Sequence, residues 1–325
     1  LQHAGGHWDL VEGADLANLG VPDSLQGLIL TRFDRVPPVQ RQVLQEEGIS
    51  GSGVLLTCDT GISAHAALQY ASERGLAILV TDHHDLPPEL PPALALVNPK
   101  VLPPGHALAS LPGVGVAYQL VEALYARAGR QQECAGFLDL VALGIVADLA
   151  VLSGETRYLL QRGLQVLRNT PRLGLQIMME LADLNPAGLT EEHIGFVIAP
   201  RLNALGRLAD ANPIVEFFTT KDLGRARVLA NHLEGLNARR KLLTEQVFQA
   251  ALAQLEQDPA LLDQPALVLA HPSWPAGVIG IVASRLVERY NRPTILVSAP
   301  PGAAARGSAR SVEGCNITQA IAAQS

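Results

Sequence analysis

The sequence predicts an α/β protein in which a parallel-sheet domain is joined by a long helix to a smaller α/β domain. Three observations carry this expectation. Two apolar strands, Gly53 to Gly61 and Leu76 to His84, flank a stretch of helical periodicity from Ile62 to Gly75. Strand, turn, helix, strand is the pattern of a parallel sheet covered by helices. From Leu223 to Gln257, the residues Leu229, Leu233, Leu236, Leu243, Val247 and Ala250 form a stripe among charged residues, although Gly235 and Asn237 weaken its centre. One helix there would run on the order of 50 Å. Beyond Pro265 the rhythm of strand and helix returns in ALVLAH, IGIVASRLVERYN and PTILVSAP.

The remaining elements follow in order. The first fifty residues carry the weakest pattern. Gly5, Gly6 and His7 lead to the apolar Leu28-Ile29-Leu30, and a helix is expected between Pro37-Pro38 and Gly48. The proline-dense stretch from Pro87 to Pro104 is expected to be loop. LPGVGVAYQLVEALYARAG opens a helical region. Phe137 to Leu167 should be helical with a break from Asp148 to Gly154, and Leu173 to Phe218 should hold more helix around a polar insertion, Arg201 to Arg207. ARGSARS, after the last strand, is expected to be a polar turn. The domains read this way are 1–222, the joining helix 223–257, and 262–325, the last expected to be incomplete.

Composition narrows the function. The chain has 325 residues, 48% of them hydrophobic, enough for one large core or two smaller ones. No apolar run reads as a membrane span, and no secretory signal is visible. Cys58, Cys134 and Cys315 are isolated, which predicts neither a disulfide framework nor a thiolate zinc site and fits a reducing cytoplasm. A net charge of -7 argues against a purely electrostatic nucleic-acid binder. It leaves room for an enzyme with a local basic strip, whose carboxylates are offset by metal ions. Aromatic residues make up only 4%, which disfavours a long base-stacking surface.

The chemistry is expected at strand ends. Ligands of open α/β sheets gather beyond the carboxyl ends of parallel strands. Asp59 follows VLLTC, and Asp82, His83 and His84 follow LAILVT. Asp148 ends GIVAD and could join them from a helical turn. Carboxylates with one or two imidazoles suit Mn²⁺, Fe²⁺ or Zn²⁺, whereas an all-oxygen set would favour Mg²⁺. The histidines tilt the choice toward Mn²⁺. The bland alternative for Asp59 and Asp148 is a helix cap or turn. Arg201, Asn203 and Arg207 are poor core material and good phosphate ligands, or else surface arginines paired with local acids. Gly307, Ser308, Arg310 and Ser311 could cradle a phosphate or form a plain exposed loop. His65 and His193 are expected to be structural, while His271 ends a strand.

At these residues the chain resembles the DHH/DHHA1 phosphoesterases. CDTGISAH, TDHH, LPGVGVAY, GIVAD, APRLNALGRL, GVIGIVASRL and RGSARS occur in the family's order, from about Gly53 to the end. The resemblance implies a DHH domain joined by a long helix to a smaller DHHA1 domain, with a nuclease cleft between them. It implies that Asp59 is a carboxylate shared by two Mn²⁺ ions, with Mg²⁺ as the alternative, and that His83 and Asp148 are further metal ligands. Asp82 and His84 complete the triplet, with His84 near the metals or the scissile phosphate. Arg207 would hold a DNA phosphate, Arg201 and Asn203 would shape the same wall, and Ser308, Arg310 and Ser311 would grip the nucleotide end.

The implied function is metal-dependent 5′-to-3′ hydrolysis of single-stranded DNA in recombination and repair. Helicase and single-strand-binding proteins are the implied partners, and the enzyme would be a cytoplasmic monomer. The alternatives are cleavage of short oligonucleotides or cyclic dinucleotides, or a catalytically impaired nucleic-acid-binding scaffold. Some family features are missing. No Asp-x-Asp occurs, and Asp9, Asp15, Asp23 and Asp34 are isolated. Trp274-Pro275 stands where the family has Trp-His, Gly307 to Ser311 reads GSARS where the family has GSGRS, and the late Gly-Gly-His is absent. The expectation is an N-terminal part absent or altered, and a chain weakly active or inactive by itself.

Overall fold

The computed structural model describes residues 2–4, 7–9, 53–103 and 105–323. Leu28-Ile29-Leu30 and the helix expected between Pro37 and Gly48 lie outside those residues. Two compact units emerge, 1–170 with 185–196, and 171–184 with 197–325.

In the first unit, β1 (Gln2–Ala4) and β2 (His7–Asp9) pair antiparallel. The main sheet has the order β3–β4–β5, all parallel: β3 (Val54–Cys58), β4 (Ala77–Thr81) and β5 (Ala95–Val97). Helix α1 (His65–Ser72) joins β3 to β4, as the alternation of patterns requires. Leu55, Ile78 and Val80 of the sheet pack with Leu68 and Ala71 of α1. Complete burial of a side chain such as Leu68 contributes about 1.5–3 kcal/mol.

Strand β5 corrects the reading of 87–104 as loop. The surrounding prolines fall outside residues 95–97, so the N–H groups needed for pairing are intact, and register with Leu79 to Thr81 makes the strand. Three helices follow: α2 (Gly113–Arg127), α3 (Leu138–Ala147) and α4 (Gly154–Leu167). The break between α3 and α4 falls where the sequence placed it.

In the second unit, α5 (Leu173–Leu181), α6 (Ala199–Leu208) and α7 (Pro213–Thr219) pack on α8 (Leu223–Gln257). This packing sets the division between units ahead of residue 222. Helix α8 has the bounds the apolar stripe predicts, and Asp222 caps it by accepting the Arg225 N–H. Beyond it, β6 (Leu267–His271) and β7 (Thr294–Ser298) are parallel and joined by α9 (Ala276–Tyr290). Phe248, Leu267, Val278, Leu286 and Leu296 lie in their core.

Strand β8 (Arg306–Arg310) pairs antiparallel with β7, which corrects the expected polar turn. Gly307, Ser308 and Ala309 are weak strand formers, but the open edge of β7 offers their backbone groups partners. The last element is α10 (Ile317–Ala322). Among the described residues, no helix is long and apolar enough to cross a membrane. Cys58, Cys134 and Cys315 are free thiols.

Candidate metal centre

Asp59 is the first residue beyond β3. Its N–H still bonds to the Thr81 carbonyl at 2.9 Å, extending the strand pairing by one step. Its φ of 61° then turns the chain into the left-handed region, which aspartate tolerates better than most residues. Asp82 stands in the same place beyond β4, and its N–H bonds to the Val97 carbonyl at 3.0 Å. The adjoining strand ends therefore bring Asp59 and the Asp82-His83-His84 run together.

Asp82 is buried, only 1% exposed. Its Oδ2 accepts the Ile62 N–H at 2.9 Å. Its Oδ1 accepts the N–H groups of His83 and His84 at 2.7 and 3.2 Å, and faces His84 Nδ1 at 2.7 Å. Burial pushes this carboxyl up, but the Ile62 amide, the His84 ring and the two following amides outweigh it, so the group lies below the usual carboxylate range. An ionised carboxylate only accepts, which places the proton of a neutral His84 ring on Nδ1 and leaves Nε2 as a lone pair. Asn98 Nδ2 holds the same turn by donating to the His84 carbonyl at 3.0 Å.

Asp148 is the C-cap of α3. Leu149 follows with φ 54°. Its N–H bonds to the Val146 carbonyl, and the Ala150 N–H to the Ile145 carbonyl. These two bonds form a Schellman motif, which satisfies the last carbonyls of α3.

The candidate ligand atoms meet at His83. Its Nε2 lies 3.0 Å from Asp59 Oδ1 and 3.6 Å from Asp148 Oδ2. The shorter contact has ion-pair length without hydrogen-bond alignment, so among the described residues the buried Asp59 Oδ1 and His83 Nε2 each lack a hydrogen bond. The contact with Asp59 raises the His83 pKa, burial opposes it, and the Asp148 charge adds to it. One ligand atom from each of Asp59, His83 and His84 also falls within 4.8 Å of the other two. Carboxylates and imidazoles converging in this way fit a divalent transition ion, which would satisfy both orphaned atoms. Cys58 is no part of the set. Burial raises its thiol despite a Thr81 hydrogen bond, and the Asp59 charge adds to the rise.

Sequence reasoning missed Gly113. The first turn of α2 passes so close to Asp59 that a Cβ on Gly113 would stand 2.2 Å from Oδ1 and 2.8 Å from the Asp59 Cβ. Gly-x-Gly after Leu-Pro signals a helix start, and nothing local names the carboxylate it touches.

The second unit arranges the candidate phosphate residues. Arg201 is mostly buried. It pairs with Glu234 at 2.6 Å and donates to the Val197 carbonyl at 2.8 Å. Asn203 and Arg207 are exposed, and Arg207 Nη1 donates to the Gly277 carbonyl at 3.2 Å. A Cβ on Gly277 would lie 2.1 Å from the Arg207 carbonyl oxygen, and one on Gly280 would lie 2.8 Å from Ser308 Oγ and 3.1 Å from Arg310 Nη2. The glycines of GVIG thus let α9 press against α6 and β8. Arg207, Ser308 and Arg310 gather around its first turns. Ser311 Oγ donates instead to the Cys315 carbonyl at 2.7 Å. His65 holds the Ser63 and Glu89 carbonyls, His193 pairs with Thr190, and His271 pairs with Ser273 and stacks on Trp274.

Fold and site together describe an α/β protein with a carboxylate–imidazole cluster whose donor atoms could hold a divalent metal ion. The model of the DHH family's N-terminal domain matches residues 12–145. The chain is 39% identical over 86% of its length to the single-stranded-DNA-specific exonuclease RecJ of Bacillus subtilis, covering 34% of that protein. It is 35% identical over 90% of its length to RecJ of Escherichia coli, covering 53% of that protein. The crystal structure of RecJ from Thermus thermophilus in complex with Mn²⁺ matches 88% of the chain and 41% of its own, at 34% identity and a TM-score of 0.76. The chain spans 34% and 53% of the lengths of these two curated RecJ relatives.

Proposed function

We propose that this chain is the core of a metal-dependent exonuclease that degrades single-stranded DNA from its 5′ end. The observation that carries the proposal is the convergence of Asp59 Oδ1 and Asp148 Oδ2 on His83 Nε2. In this reading Asp59, His83 and Asp148 hold Mn²⁺, with Mg²⁺ as a substitute and two ions in the complete enzyme. A bound ion supplies a hydroxide-like nucleophile at neutral pH and offsets the phosphate's charge.

The chain's own residues prepare the rest. Asp82 fixes the turn and the His84 tautomer, so that Nε2 can accept a proton or a ligand bond. Arg207, Ser308 and Arg310 bind a phosphate group, Ser311 supports their loop, and Arg201 and Asn203 shape the wall beside Arg207. Helicase and single-strand-binding proteins as partners, a monomeric state and the cytoplasm belong to the same reading.

The test is a Mn²⁺ titration of the chain joined to product analysis on 5′-phosphorylated single-stranded DNA. The expected result is Mn²⁺ binding and slow, Mn²⁺-dependent release of mononucleotides from the 5′ end. Cleavage of dinucleotides with long strands left intact would move the assignment to the short-oligonucleotide alternative. A chain that binds no Mn²⁺ would refute both.

The pH dependence has a fixed sign. The folded pKa of His83 lies above the ordinary histidine value of about 6.5. Its protonated form therefore stabilises the metal-free fold below that value, and the contribution is lost as pH rises through the folded pKa. Metal binding requires the neutral ring, so it runs the other way. Mn²⁺ affinity should climb by up to about tenfold per pH unit below the folded pKa and flatten above it. Calorimetric isotherms across that range check this, and an affinity independent of pH would exclude His83 as a ligand.

A further inference from the structure

Near the middle of α8 the sequence carries Arg239-Arg240-Lys241, the only three consecutive cations in a chain of net charge -7. Arg240 is partly buried, while Arg239 and Lys241 are exposed. Asn237, 1% exposed, takes two donors of Arg240 on its Oδ1, from Nε at 3.3 Å and Nη2 at 2.9 Å. This hold through Nε and Nη2 fixes the plane of the guanidinium, and among the described residues Nη1 has no hydrogen-bond partner. Asn237 Nδ2, beside it, is buried and, among the described residues, without a hydrogen bond.

The charge balance is uneven. Arg201 lies close enough to oppose the charge of Arg240, and burial with that repulsion holds Arg240 below the ordinary arginine value. Glu234 is already paired with Arg201. Among the described residues Arg240 has no carboxylate partner. A partly desolvated guanidinium beside a second one is costly unless an anion completes the site.

We infer that Arg240, oriented by Asn237 and flanked by Arg239 and Lys241, binds a phosphodiester of the single strand. The inference rests on the nucleic-acid reading above and adds a contact on α8 to it. Exposed cations on both sides of Arg240 along the helix suit a polyanion with repeated charges better than a lone phosphate ion.

The experiment measures the affinity of the chain for a fluorescent thymidine oligonucleotide, without divalent metal, across a salt series. Each phosphate contact to a single strand adds about 0.7 to the slope of log affinity against log salt. Arg240→Gln should flatten the slope by about 0.7, equally for 5′-hydroxyl and 5′-phosphorylated strands. Arg240→Lys should keep the slope, which separates lost charge from lost packing. Asn237→Asp should flatten it with Arg240 in place, because the new carboxylate neutralises the guanidinium.

A slope unchanged in Arg240→Gln overturns the inference alone. So does an effect confined to the 5′-phosphorylated strand, or inorganic phosphate that competes with the strand through Arg240. A parent chain that fails to bind the oligonucleotide overturns the nucleic-acid reading as well.

Discussion

Gly113→Ala should lower the Mn²⁺ affinity of the chain by about 10–100-fold while leaving the protein folded. The new methyl would sit 2.2 Å from Asp59 Oδ1, 2.6 Å from Cγ and 2.8 Å from Cβ. Rotation of the carboxylate could relieve the first two contacts. It cannot relieve the third, because the Asp59 Cβ is fixed by a backbone whose N–H is bonded to Thr81. Either α2 retreats or the turn after β3 shifts, and each moves Oδ1 away from His83 Nε2. A shift of about 1 Å suffices for losses of this size at a preorganised site. Calorimetry with Mn²⁺, with circular dichroism to confirm folding, measures the effect. Parental affinity in Gly113→Ala would show that α2 does not set the position of Asp59.

Asp82→Ala should destabilise the fold by about 3 kcal/mol or more, a larger stability effect than removal of Asp59. The substitution strips the acceptor from three backbone N–H groups and from the His84 ring. Each buried donor left without a partner costs about 1–3 kcal/mol. Because the folded pKa of Asp82 is depressed, its contribution is present above the ordinary aspartate value of about 3.9 and disappears as pH falls through the folded one. Urea unfolding at neutral pH, with metal absent, measures it as a drop in midpoint at unchanged slope. A loss below about 1 kcal/mol would make the carboxylate a bystander to folding.

The parts of the fold that sequence could carry were those whose pattern is local. The apolar runs of β3 and β4 end abruptly in acids, so both the strands and Asp59, Asp82, His83 and His84 were readable from spacing. The stripe of α8 was long enough to fix both of its ends. β5 and β8 were not readable, since Ala95–Val97 and Arg306–Arg310 become strands only through their neighbours' open edges. The site divided in the same way. Residue types and strand ends pointed to a metal set. The separation of Asp82, which anchors the turn, from Asp59, which faces His83, needed burial and hydrogen-bond partners. Arg201 was legible as one of two readings, and its pairing with Glu234 appears only once α6 and α8 are in contact.

The left-handed turn at Asp59 bears on how the centre can be interrogated. Asparagine tolerates that backbone region at least as well as aspartate, whereas alanine does not. Asp59→Asn therefore removes a charge and little else, while the customary alanine scan would alter charge and backbone strain together. At this position the amide is the informative replacement.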